Sequence, residues 1–243
     1  MLVSPAVEAE IIAHAREEAP KEACGLVIAS AYVRCINVAE DPLTEFRIDD
    51  HVMAAAYASG QLVAVIHSHP DGPNSPTKVD MQQQQIGEVP WGICYINDER
   101  GHRPELFFWG DNLPIAPYEG RVFRHGIADC FALVRDWKRK EEGLILPFTP
   151  RDDEWWSKGQ NVVEEGILAM PCEVVDDAPR IGDVLIAKIG SQVVNHTGVY
   201  VGNGLVLHHL SYRLSRIDVL GPWSRFVIKR VRTFPVQSVA QVA

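Results

Sequence analysis

The spacing of apolar residues changes period several times along this chain, and each change marks an element. Val7, Ile11, Ile12 and Ala15 recur at helical spacing, with Ser4-Pro5 as a start signal, which predicts a helix over residues 5–19. The runs "CGLVIAS" and "YVRCINVA" then read as two strands, and residues 49–59 as a helix. The run "QLVAVIHSH" is almost continuously apolar, as in a strand buried on both faces. Ser75-Pro76 has the form of an N-cap and first helical residue, so a helix passing through Asp80 and Gln85 is predicted. Strands "WGICYIN" and "PELFFWG" complete a mixed α/β unit.

The Pro- and Gly-rich segment "GDNLPIAPYEG" reads as a linker, and the expected domains are residues 1–112 and 113–243. Beyond it, "DCFALVRDWKRKEE" predicts an amphipathic helix with Phe131, Val134 and Trp137 on one face. Irregular and short helical segments are expected to about Arg180. Five strands follow, in "DVLIAKI", "HTGVYV", "LVLHHL", "RLSRID" and "RFVIKRV". One helix ahead of an antiparallel sheet is an α+β pattern.

Composition narrows the function. A length of 243 residues suits two domains, and 47% hydrophobic residues suits packed cores. The longest apolar runs are too short to span a membrane, and the start lacks the basic and apolar regions of a secretory signal. Five cysteines without paired spacing suggest a reduced protein made in the cytoplasm. Residues 1–112 hold 7 basic and 17 acidic side chains, whereas residues 113–243 hold 16 and 15, which points to units with different partners. There is no basic stripe of the kind that binds nucleic acid.

The stretch "VIHSHPDGPNSPTKVD" carries the first chemistry. Residues i and i+2 of a strand share a face, so His67 and His69 project together, and Asp80 follows a turn that can return it beside them. Two imidazoles and one carboxylate form a three-ligand zinc set with one position free. Hydrolysis there also needs a base, and Glu22, just ahead of the first strand, is the candidate. Glu22, "HSHP" and the aspartate at this spacing resemble the JAMM/MPN+ metallo-isopeptidases over about residues 1–110. The resemblance implies one zinc ion on His67, His69 and Asp80, with Glu22 as general acid/base. Thr77 stands where that family usually has a serine, which implies a supporting role at the oxyanion, and Ser75 is expected to cap the helix.

The second chemistry lies in Cys130, predicted at a helix start where the dipole and free N–H groups favour a thiolate. His196 opens a strand as a base facing that nucleophile, and "LVLHHL" offers His208 or His209 to orient it. If Gly202-Asn203-Gly204 is a three-residue hairpin loop, Val199, Val201, Leu205 and Leu207 share one face and His196 and His208 the other. This register selects His208. Cys24, Cys35, Cys94 and Cys172 have no basic partner and read as small packed residues, and the remaining histidines as ordinary surface or structural ones.

This half resembles NlpC-like, papain-like cysteine peptidases over about residues 116–235. The matching pieces are "ADCFALVRD", "NHTGVYVGNG" and a histidine twelve positions after His196. The resemblance implies that Tyr118 helps the active site and that the substrates are peptidoglycan stem peptides. A JAMM-like unit fused to an NlpC-like unit resembles the tail-tip assembly proteins of long-tailed phages, of the lambda tail protein K type. That likeness implies other tail-tip proteins as partners, with the host cytoplasm during tail assembly and the virion tail tip as locations. Two further readings stand beside it: an assembly factor whose first domain is a docking or maturation module, and a bacterial wall-remodelling peptidase.

Overall fold

The structure is a computed structural model that describes residues 2–98 and 101–234. The chain divides into two compact units, Met1–Pro114 and Ile115–Ala243. Among the described residues no helix is long and apolar enough to cross a membrane.

In the first unit α1 (Pro5–Glu18) starts where the Ser4 hydroxyl accepts from the Val7 N–H, and it buries Val7, Ile11, His14 and Ala15. Strands β1 (Cys24–Ile28) and β2 (Ala31–Cys35) form an antiparallel hairpin. Helix α2 (Asp50–Ala58) precedes β3 (Leu62–Pro70), and α3 (Lys78–Gly87) connects it to β4 (Trp91–Ile96) and β5 (Glu105–Trp109). The sheet order is β2-β1-β3-β4-β5, with β3 and β4 parallel and the other pairs antiparallel. This is the expected α/β mixed sheet. Ile11, Val27, Ala64, Ile66 and Cys94 belong to one core between α1 and the sheet. The apolar run of β3 is explained by its place, since a central strand is covered on both faces.

In the second unit α4 (Cys130–Trp137) packs on a six-stranded sheet. The remaining elements are α5 (Val162–Leu168), β6 (Cys172–Val174), β7 (Val184–Ala187), β8 (His196–Gly202), β9 (Leu205–His208), β10 (Arg216–Val219), α6 (Leu220–Trp223) and β11 (Val227–Thr233). The sheet order is β10-β9-β8-β7-β11-β6, antiparallel throughout, and the unit is α+β as expected. Two details differ from the sequence pattern. The predicted long helix gives way to a π-helical turn at Lys138–Glu142, where buried Lys138 pairs with Glu142 at 2.9 Å. The short edge strand β6 has only three residues, too few for a period to register, and forms because β11 pairs with it.

A candidate metal centre and a candidate cysteine site

His67 and His69 lie at the C-terminal end of β3, on one face, as the period of two requires. Their Nε2 atoms face each other at 3.0 Å. The serine between them points the other way and locks the neighbouring segment. Ser68 Oγ accepts from Ala23 N–H at 2.8 Å while the Ser68 N–H donates to the Ala23 carbonyl at 2.9 Å. Glu22 is thereby held beside the pair, its Oε1 3.8 Å from His69 Nε2. Asp80, in the first turn of α3, reaches both rings: Oδ1 is 3.5 Å from His67 Nε2 and Oδ2 is 3.6 Å from His69 Nε2. All four side chains are buried.

Ring orientations are set from behind. His69 Nδ1 donates to the Pro73 carbonyl at 2.9 Å, which leaves its Nε2 a free acceptor. Phe46 stacks on His67 with ring centroids 4.2 Å apart. Burial pushes the Glu22 carboxyl up to about 7, helped by the charges of Asp80 and Glu45 and opposed by His69. Burial also opposes the charge on Asp80, but the two imidazoles outweigh it and hold that carboxyl far below the usual range.

The donor set fits a metal ion. Ligand atoms at 2.0–2.1 Å on a tetrahedron stand roughly 3.4 Å apart, and the separations here run from 3.0 to 3.8 Å. Glu22, His67 and His69 also offer three ligand atoms within 4.8 Å of one another, so geometry alone admits either carboxylate beside the histidines. Asp80 touches both rings and is itself held, because its Oδ2 accepts from the Thr77 N–H and hydroxyl, each at 2.7 Å. Glu22 lies 3.8 Å from His69 Nε2 and within 4.8 Å of the His67 ligand atom, and among the described residues no side chain holds its carboxylate in the same way. An open cleft of about 700 Å³ leads to the site, lined by Phe46, Met53 and Trp91 besides Glu22, His69 and Asp80.

Thr77 corrects one expectation. It is Thr77, and not Ser75, that caps α3, and a capping box with Asp80 consumes its hydroxyl. Its hydroxyl is therefore in contact with the Asp80 carboxylate.

In the second unit Asp129 is the N-cap of α4. Its Oδ1 accepts from Phe131 and Ala132 N–H and its Oδ2 from Gly126 N–H. Fully buried Arg151 pairs with it and lies over the Phe131 and Trp155 rings. An aspartate immediately before a helix start is a cap signal that the sequence itself carries. Cys130 is thus fixed as the first helical residue, against Thr197, whose N–H faces the sulfur. The expected thiolate-favouring helix start is outweighed: burial, then the Asp129 charge, push the Cys130 thiol up to about 11.

His196, next to Thr197, meets His208 as the hairpin parity predicts. His196 Nε2 and His208 Nδ1 are 3.0 Å apart. The register pairs Val199 with Leu207 in the core and Gly198 with His208. The two-residue turn is Asn203-Gly204, and an irregularity between Tyr200 and Gly202 restores the parity expected of a three-residue loop. Position 198 has to be glycine, since a Cβ there would lie 2.7 Å from Val206 Cγ2 and 3.2 Å from His208 Cβ. His209 points elsewhere, to the Arg213 carbonyl and the Phe123 ring. The thiol and His196 are not hydrogen-bonded to each other, and such contacts commonly tighten only with substrate bound. Burial, with the neighbouring His208, lowers His196 to about 3.

Two side chains, Tyr118 and Asp218, have partners that the sequence does not announce. The structure does not bring Tyr118 to Cys130. Its hydroxyl donates to Glu141 Oε1 at 2.9 Å, eleven residues down the helical segment and thus roughly 15 Å from its start. Asp218, on β10, meets His208: its Oδ2 lies 3.1 Å from His208 Nε2 and accepts from Arg216 Nε and Nη2 at 3.0 and 2.7 Å.

A mixed-sheet unit with a buried His-His-carboxylate centre, followed by a unit whose helix-borne cysteine packs on a sheet carrying a hydrogen-bonded histidine pair, defines a two-domain peptidase-like protein. Residues 109–232 match the NlpC/P60 family, and residues 4–109 match the family described as prokaryotic homologs of the JAB domain. The chain belongs to the family of the phage tail tip assembly proteins K. It is 31% identical over 231 residues to tail tip assembly protein K of Escherichia phage N15, covering 91% of this chain and 92% of that one. Against the protein of the same name from Escherichia phage lambda it is 34% identical over 164 residues, 66% of this chain and 76% of that one. The first unit is also 33% identical over 96 residues to a Thermus thermophilus protein named "Probable TtuB-protein conjugate cleaving protease", 36% of this chain and 62% of that one.

Proposed function

We propose that this chain is a phage tail tip assembly protein with two hydrolytic sites. The cysteine site cuts peptidoglycan stem peptides, and the metal site cuts a peptide or isopeptide bond. The chain acts with other tail-tip proteins, in the host cytoplasm during assembly and at the virion tail tip. The hydrogen bond between His196 and His208, on the strand that packs against the Cys130 helix, is the observation that carries the peptidase reading.

In the cysteine site His196 takes the thiol proton, the sulfur attacks the peptide carbonyl carbon, and His196 returns the proton to the leaving amine. Water then releases the acyl group by the same proton path. His208 holds the His196 ring in place.

In the first unit His67, His69 and Asp80 would hold one zinc ion, which supplies a Lewis acid for the scissile carbonyl. Glu22, at the edge of the pair, takes a proton from water and delivers it to the leaving nitrogen. Thr77 holds the Asp80 carboxylate, and the cleft at Phe46, Met53 and Trp91 receives the peptide.

Purified peptidoglycan digested by the wild type, Cys130→Ala and His67→Ala proteins, with products identified by mass spectrometry, tests this. Stem-peptide fragments are expected from the wild type and His67→Ala, and not from Cys130→Ala. Undiminished release by Cys130→Ala would overturn the assignment of the cysteine site.

A further inference from the structure

Strand β10 pairs with β9 so that Arg216 stands opposite His208. Alternate residues share a face, so Arg216 and Asp218 project on the side of the histidine pair. Arg216 grips Asp218 Oδ2 through two nitrogens, and the same oxygen meets His208 Nε2 at 3.1 Å. Burial opposes the charge on Asp218, but the His208 and Arg216 contacts outweigh it and lower its pKa, so the group is a carboxylate at neutral pH.

A carboxylate has no proton to give, so the hydrogen between Asp218 and His208 sits on His208 Nε2. A neutral imidazole carries one N–H, which makes His208 Nδ1 an acceptor. His196 Nε2, 3.0 Å away, must then be the donor, and its own Nδ1 is left with a lone pair. Without an acceptor at position 218 the pair could equally point the other way. His208 would donate to His196, whose proton would then sit on Nδ1, where it blocks the base.

We propose that Asp218 is a positioning residue of the cysteine site, fixing the tautomers of His208 and His196 so that His196 Nδ1 is the free base for the Cys130 thiol. The proposal rests on the reading of Cys130 and His196 as nucleophile and base. The thiol proton passes from Sγ to Nδ1, and the sulfur electron pair forms the bond to the carbonyl carbon as the C=O π pair moves onto oxygen. That pair then returns as the C–N bond breaks and the leaving amine takes the proton from Nδ1, while Nε2–H stays on His208 Nδ1 with the Asp218 charge behind it. The other titratable groups acting on the pair are Asp129, ahead of α4, and His209, at the end of β9, while the Trp223 ring packs on His208 with centroids 4.6 Å apart. Neither Asp129 nor His209 is hydrogen-bonded to either ring, so the direction of the relay is set from Asp218.

Nuclear magnetic resonance of the full chain labelled with ¹⁵N-histidine reads the tautomers directly, independently of turnover. At neutral pH both His196 and His208 should be protonated on Nε2 in the wild type. An amide at position 218 can donate to His208 Nε2, so Asp218→Asn should move both protons to Nδ1. It should also lower the rate constant for stem-peptide release by about 10²- to 10⁴-fold with KM within a few fold. Asp218→Glu should keep the wild-type tautomers and recover part of the rate. A His208 protonated on Nδ1 in the wild type, or unchanged tautomers in folded Asp218→Asn, would overturn the proposal. A wild type that releases no stem peptides would instead sink the peptidase reading, while the tautomers still decide the role of Asp218.

Discussion

Cys130 shows how a single residue is pulled between opposing effects. A helix start lowers a thiol pKa, but only if the thiolate is otherwise tolerated. Here burial and the adjacent Asp129 carboxylate win, and the thiol rises to about 11 while buried His196 falls to about 3. The sign follows: between those values the thiol keeps its proton and the imidazole has none, so the resting pair is neutral. At pH 7 the thiolate is far scarcer than the few per cent of an ordinary cysteine. Alkylation of Cys130 by iodoacetamide, followed by peptide mass spectrometry, should therefore be slow at pH 7. It should rise about tenfold per pH unit up to pH 9. A rate already level between pH 5 and 7 would reveal a preformed thiolate–imidazolium pair and contradict this account. The residues themselves were readable because their spacing is local: His67 and His69 by strand period, His196 and His208 by hairpin parity. Asp218 was hidden, since nothing in "RLSRID" says that β10 will pair beside β9 with its carboxylate turned to His208. The partner of Tyr118 was hidden for the same reason, because its hydroxyl meets Glu141, a side chain far along the next helical segment.

At the scale of elements, the start of α3 joins helix stability to the metal centre. Thr77 caps the helix through the Asp80 N–H at 3.2 Å, and the same hydroxyl donates to Asp80 Oδ2 at 2.7 Å. Of the two possible helix starts, Ser75-Pro76 is the one expected from the sequence and the Thr77–Asp80 box is the one the structure forms. What ranks them is the return of Asp80 to the end of β3, which needs the helix to begin two residues later. Thr77→Ala should lose the cap, costing about 1 kcal/mol of stability, and should also free the Asp80 carboxylate, the proposed ligand. Support of this kind is worth about 10- to 100-fold in metal affinity. Competition against a chelator should show zinc bound that much more weakly by Thr77→Ala, with Thr77→Ser within a few fold of wild type. Equal affinity in Thr77→Ala and wild type would mean that Asp80 needs no help from the cap, or does not bind the metal.

On the whole-molecule scale, the chain holds two cores with different chemistry. Ile11, Ala64, Ile66 and Cys94 belong to the core of the first unit, and Phe131, Val134, Val199 and Leu207 to that of the second. The excess of acid also belongs to the first, with 17 acidic against 7 basic side chains over residues 1–112. A bound metal stabilises only the unit that holds it, by about 2.7 kcal/mol at a free concentration one hundred times its dissociation constant. A chelator should therefore speed amide hydrogen exchange within residues 1–114, most of all in β3 and α3, and leave α4, β8 and β9 unchanged. The cysteine relay is a thiol, two imidazoles and a carboxylate, none of which needs a metal to move a proton. Stem-peptide release by the full chain should accordingly stay within about twofold in excess chelator, and Asp80→Ala should behave as the chelated wild type does. If chelation stops release and added zinc restores it, while Cys130→Ala retains activity, the wall-cutting chemistry belongs to the first unit. Faster exchange in α4 and β8 on chelation would show that the metal stabilises the second unit as well.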